Sequence, residues 1–118
     1  MKIKRDSLDI LFMKYLRLRD KVCQCCGSGG DNLQVSHFWG RRIQNTRYDD
    51  DNCDLLCFGC HGYFTANPKL YTDWKLKRLS QDKFDLLEIR ASRVPKHKVD
   101  KESIKLYLKE MIKRMEKE

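Results

Sequence analysis

The chain carries two cysteine pairs of the same spacing, Cys23-x2-Cys26 and Cys57-x2-Cys60, separated by 30 residues. A Cys-x2-Cys segment can place two thiolates on one side of a tight turn. Two such turns complete a tetrahedral Zn²⁺ site with Zn–S bonds of about 2.3 Å. Gly27 follows the first pair at once and suits the left-handed turn that such a knuckle often needs. Four thiolates leave the ion no open position, so this zinc would hold the fold and do no chemistry. The other readings of the pattern are a redox Cys-x2-Cys motif and cysteines that are merely buried. Cys25 lies inside the first pair and competes as a ligand, whereas Cys53 reads as a core residue.

The segment leading into the second pair is "LQVSHFWGRRIQNTRYDDDNCDLLCFGCH", residues 33–61. It sets His37, Asn52 and His61 in order, with His61 adjoining Cys60. Arg41, Arg42 and Arg47 lie between His37 and the acidic run Asp49–Asp51. This order resembles the HNH nuclease family. In the variant it resembles, two Cys-x2-Cys pairs form a structural zinc site around a ββα-metal core, and the second pair runs directly into a histidine, as "CFGCH" does here. That resemblance covers residues 23 to about 66. A longer likeness takes in "SHFWGRRIQNTRYDDDNCDLLCFGCHGYFTANP", "YTDWKLKRL" and "FDLLEIR". It is similar to phage recombination nucleases of the NinG (Rap) type and runs to about residue 90.

The resemblance assigns roles to these residues. Phosphodiester hydrolysis needs an activated water, a cation on the phosphate oxygens and help for the departing 3′ oxygen. His37, whose side-chain type titrates near neutrality, becomes the general base. His61 becomes a ligand for a catalytic Mg²⁺ or Mn²⁺ at the start of a helix, and Asn52 holds the loop around His37. One departure stands out. Many family members carry Asp, and some His, as a metal ligand just before the base, and here the residue is Ser36. A neutral serine is a poor ligand for a hard divalent ion. Ser36 with His61 and substrate phosphate is one expectation, and Asp49, Asp50 or Asp51 are others that spacing does not separate. Arg41, Arg42 and Arg47 are expected to contact phosphate, the competing expectation being ion pairs with Asp49–Asp51. Trp39 reads as a core residue or a base-stacking one, with the core favoured.

These groups need elements to position them. "RDSLDILFMKYLRLRD" sets Leu8, Leu11, Phe12, Tyr15 and Leu16 on one helical face, capped by Asp6 or Ser7. "CQCCGSGGDN" is a turn, "LQVSHF" a short strand, and "RRIQNTRY" a weaker candidate for its partner. A helix is expected from Phe58 to about Ala66, starting inside the second cysteine pair. Another follows, with Asn67 as cap, Pro68 first and a face of Leu70, Tyr71, Trp74 and Leu79. Ser80 caps a further helix with Phe84, Leu87 and Arg90 along one side. "VPKHKV" reads as a linker containing a solvated His97. Asp100 caps a last helix whose Ile104, Leu108, Met111 and Met115 form an apolar stripe, to be covered by its own domain or by a partner.

The whole-chain properties agree with a nucleic-acid partner. At 118 residues with net charge +8, the chain is one small basic domain, and residues 1–48 hold ten Lys/Arg against four Asp/Glu. The competing explanation is a solvated, lysine-rich helical surface. No secretory signal is read at the N-terminus and no apolar run is long enough for a membrane span. Six cysteines in an intracellular chain point to metal rather than disulfides.

The expected fold is therefore α+β. A ββα-metal HNH core is stapled by a four-cysteine zinc site, with an N-terminal helix and added C-terminal helices. Residues 1–94 form the nuclease domain and 95–118 a linker and final helix. The expected function is metal-dependent DNA cleavage, and by the closer resemblance the substrate is branched recombination DNA in a phage-infected bacterial cytoplasm, with a homodimer suited to paired cuts. The rivals are a sequence-directed duplex endonuclease and a zinc-stapled DNA-binding module without activity.

Overall fold

The computed structural model describes residues 6–93 and 99–118. Apart from Val99, the expected linker with Pro95 and His97 lies outside the described residues. Five helices and one two-stranded sheet make a small α+β fold among the described residues.

Helix α1, Ser7–Asp20, starts at a reciprocal cap. The Asp9 N–H donates to the Asp6 carboxylate at 2.8 Å, and the Asp6 N–H donates to the Asp9 carboxylate at 3.2 Å. Leu8, Phe12, Tyr15 and Leu16 are buried along one face, as their spacing requires. The last helix in the chain covers that face. It runs from Lys101 to Glu116 and is capped by Asp100, which accepts from the Ser103 N–H. Its Leu108 and Ile112 are buried against α1, flanked by Ile104, Met111 and Met115. The apolar stripe thus packs within the chain, with Leu108 buried and Ile104, Met111 and Met115 partly covered.

Strand β1, Leu33–His37, pairs antiparallel with β2, Cys53–Cys57, with Val35 opposite Leu55 and His37 opposite Cys53. The expected partner "RRIQNTRY" is not a strand. Residues 40–52 instead advance through successive turns, Ile43 N–H to Gly40 O, Thr46 to Ile43, Asp49 to Thr46 and Asn52 to Asp49. The true partner, "CDLLC", is buried on both faces and so lacks the alternation that marks a half-buried strand.

Side chains alternate along the strands, so each face has its own neighbours. His37, Val35 and Cys53 face α1. Gln34, Ser36 and Asp54 face the helices that follow β2. These are α2, Phe58–Ala66, α3, Pro68–Leu79, and α4, Gln81–Ser92; the final helix is α5. Pro68 opens α3 as expected, but neither Asn67 nor Ser80 makes a side-chain cap, and the Asn67 amide donates to the Tyr63 carbonyl instead. The buried residue of α3 is Lys75, fully enclosed, while Leu70 is 44% exposed. Lys75 Nζ lies 2.6 Å from Asp54, and Arg78 pairs with the same carboxylate. A buried ammonium persists only with such a partner. No helix among the described residues is long and apolar enough to cross a membrane.

Candidate metal centre and active site

The two Cys-x2-Cys turns meet at the ends of the sheet. The first is hooked to β2 by the Gln24 N–H donating to Leu55 O at 2.9 Å, and Gly27, at φ +80°, closes it with a bond to Cys23 O. The second turn lets β2 run directly into α2. Their four sulfurs, from Cys23, Cys26, Cys57 and Cys60, all lie within 4.8 Å of one another. Cys26 Sγ and Cys57 Sγ are 3.7 Å apart, close to the ~3.8 Å edge of a tetrahedron with 2.3 Å Zn–S bonds. Backbone N–H groups of Cys26 and Cys60 point at Cys23 Sγ and Cys57 Sγ, at 3.5 and 3.4 Å, where they would stabilise thiolates. Hydrogen bonding with Ser28 lowers the Cys26 thiol to about 6. The donor set therefore fits one closed, four-thiolate zinc. Cys25 stands outside the group of four, and Cys53 is buried beside α1, where burial raises its thiol far above the usual range.

Asn52 is fully buried behind the end of β1. Its Oδ1 accepts from the Trp39 N–H at 2.8 Å, and its Nδ2 donates to Trp39 O at 3.0 Å and Thr46 O at 2.9 Å. Its own carbonyl accepts from the Phe38 N–H at 3.0 Å. Four bonds from one residue thus fix the two residues after His37 and the far side of the loop.

His37 ends β1 on the α1 side. Burial lowers its pKa, opposed by the Arg47 backbone and aided by the charges of Arg47 and Arg41. The ring is neutral at pH 7, the form that accepts a proton. Its Nε2 is enclosed without a hydrogen-bond partner, so a lone pair stays unsatisfied there.

His61, one residue past the last cysteine of the tetrad, lies on the other face. Its Nδ1 meets Gln34 Oε1 at 2.6 Å, and since the amide oxygen only accepts, Nδ1 carries the proton and Nε2 keeps the lone pair. That is the tautomer a metal-ligating histidine needs. Ser36 does not join it. Ser36 is buried, and its hydroxyl is bonded to Tyr71 Oη at 2.5 Å. The acidic run is also committed. Asp49 and Asp51 pair with Arg90, and Asp50 accepts from Tyr107. Among the described residues the four thiols are the one cluster of potential ligands found. Ser36 and the acidic run are thus bonded within the protein, while His61 Nε2 keeps its lone pair.

The competing expectation for the arginines, ion pairs with Asp49–Asp51, is not met for Arg41 and Arg47. Both converge on Asp9 of α1, at 2.5 and 2.6 Å, joined by the Tyr48 hydroxyl at 2.9 Å. Burial raises the Asp9 carboxyl, but these bonds outweigh it and hold the pKa far below the usual range. Asp9 was not among the residues singled out from sequence. Arg42 is exposed.

The structure thus ties Asn52 to the chain just after His37 and sets His61 against β1, but it leaves His37 and His61 on opposite faces of the sheet. No protein-family model, curated protein or solved structure matches the chain.

Proposed function

We propose that the chain is an endonuclease of the HNH type that hydrolyses DNA phosphodiester bonds. The observation that carries this reading is the Asn52 lock on the residues following a half-buried, neutral His37 whose Nε2 has no hydrogen-bond partner. His37 would take the proton from the attacking water. The water oxygen bonds to phosphorus as the bond to the 3′ oxygen breaks. The net charge of +8 would draw the DNA, and Arg42 is exposed to meet phosphate. His61 is the protein ligand available to a divalent ion, and no step is assigned to that ion.

Branched recombination DNA is the substrate proposed, by the resemblance of residues 23–90 to phage recombination nucleases. A second reading, a zinc-stapled DNA-binding module without activity, is favoured by one observation, the burial of Ser36 at the usual metal-ligand position.

The test is cleavage of linear, single-stranded and four-way-junction DNA across a Mg²⁺ and Mn²⁺ titration. The junction is expected to be cut fastest. His37→Ala should lose about 10²–10⁴-fold in rate while still binding DNA. Unchanged turnover by His37→Ala removes it as the base. Binding without cleavage at any metal concentration leaves the binding-module reading.

A further inference from the structure

We infer that the outer face of α4 receives a second copy of this chain, the two α4 helices lying antiparallel across a two-fold axis. The inference does not use the nuclease reading. It starts from Asp82, Leu86 and Ile89 of α4 and from Arg93, which ends the helix. Their 4-3-4 spacing sets them in one stripe about 16 Å long. Burial of Leu87 turns that stripe away from the protein. Leu86 and Ile89 are 55% and 51% exposed, and Asp82 and Arg93 at the two ends are exposed as well. Among the described residues neither Asp82 nor Arg93 has an ion-pair partner. The Arg93 backbone is nonetheless held in place, its carbonyl accepting from the Asn45 amide at 2.6 Å.

The stripe is its own complement. Leu86 and Ile89 are centred on the Leu87–Glu88 peptide, and so are Asp82 and Arg93. An antiparallel copy therefore lays Leu86 against the other copy's Ile89 and Asp82 against the other copy's Arg93, twice over. A two-fold contact requires this kind of self-complementarity. A stripe of such spacing packs at a shallow crossing angle of about 20°, which keeps its whole length in contact.

Charge selects the occupant. The chain carries +8, so most of its surface repels a second copy. Residues 81–93 are neutral, with Asp82, Asp85 and Glu88 against Lys83, Arg90 and Arg93. Helix α3 has four bases and one acid, and α5 has five bases and three acids. The exposed Leu106 and Tyr107 of α5 stand beside Lys105 and Lys109, so pairing there would bring cations together. A polyanion at α4 would meet Asp82 and Asp85, which repel it. One helix pair buries less than the ~1,200 Å² at the lower end of stable interfaces, so the dimer is weak and forms as concentration rises.

The test is sedimentation equilibrium of the zinc-loaded protein from about 10 µM to about 1 mM, at about 0.15 M salt to screen the net charges. The mean mass is expected to climb from 14.1 kDa toward twice that value. Leu86→Glu should stay at the mass of one chain, and Leu106→Glu on α5 should pair as the unsubstituted protein does. Asp82→Arg and Arg93→Asp should each weaken pairing about tenfold. The two reversals together should restore it, because the ion pairs are rebuilt with their ends exchanged. A single-chain mass at every concentration overturns the inference. So does a dimer that Leu86→Glu leaves intact or Leu106→Glu abolishes, or a double reversal no better than the single ones. A protein that pairs in this way but cuts no DNA refutes the nuclease reading and leaves the α4 interface standing.

Discussion

Replacing Asn52 by alanine tests the link between the lock and the strand end. The side chain is wholly enclosed and makes three bonds of 2.8–3.0 Å. Thr46 O keeps a second donor, the Asp49 N–H at 3.2 Å, so its loss is small. The Trp39 N–H and carbonyl are both left without the amide that satisfied them. A stranded buried group costs about 1–3 kcal/mol and a lost bond with one partner retained about 1 kcal/mol, so the expected destabilisation is about 4 kcal/mol. Asn45→Ala is the control. Its amide bonds Arg90 O and Arg93 O at 3.2 and 2.6 Å near the surface, where water can replace it, and the expected cost is about 1 kcal/mol or less. Urea unfolding of the zinc-loaded proteins, followed by tryptophan fluorescence, gives both values. Asn52→Asp keeps the shape and the acceptor but turns a carboxylate toward two carbonyl oxygens. It should be at least as damaging at pH 7 and partly recover in acid, where protonation restores a donor. A loss for Asn52→Ala no larger than for Asn45→Ala, or an Asn52→Asp protein indifferent to pH, would refute the reasoning.

Elemental analysis should find one zinc per chain, lost in Cys26→Ser and kept in Cys25→Ser, and chelation should abolish the cooperative unfolding transition because metal binding is folding energy in such sites. Burial lowers the imidazoles of both His37 and His61 below 6.5 in the folded state. A lowered folded pKa contributes stability above the unfolded value that is lost as pH falls, so urea midpoints should drop below pH 6.5 and the drop should shrink in a His37→Ala, His61→Ala double variant. For the same reason the acid limb of any pH–rate profile should lie below 6.5. Lys75→Ala strands the Asp54 carboxylate, leaving Arg78 alone with it, and should cost about 3 kcal/mol by urea unfolding, with Lys75→Met costing less if Asp54→Asn is made alongside.

Local chemistry made several features legible in the amino-acid order. The spacing of Cys23, Cys26, Cys57 and Cys60 points to a metal-binding tetrad because a Cys-x2-Cys turn has few conformations, and the structure brings those four sulfurs together. The start of α2 and the caps of α1 and α5 follow from residues within one turn of each helix end. The face of α1 follows from its 3.6-residue period. The distant consequences were not legible. Strand β2 was missed because burial on both faces erases the alternation that marks a strand. Lys75 falls at a position that any hydropathy scale places in solvent, and only Asp54, 21 residues away, makes it a core residue.

Charge pairing and exposure were decided in three dimensions. The arginines near His37 could have met Asp49–Asp51 by sequence proximity, but the turns of residues 40–52 aim Arg41 and Arg47 at Asp9 of α1, more than 30 residues away. Ser36 could have been a weak ligand by its place before His37, yet strand alternation turns it under α3, where Tyr71 takes its hydroxyl. The sequence determined which groups are present and which short turns they build. Which of them pair, and which remain for substrate, was decided by the packing of α1, α3 and α5 around two short strands, because ion pairs and buried hydroxyls are set by distances in space that no local period encodes.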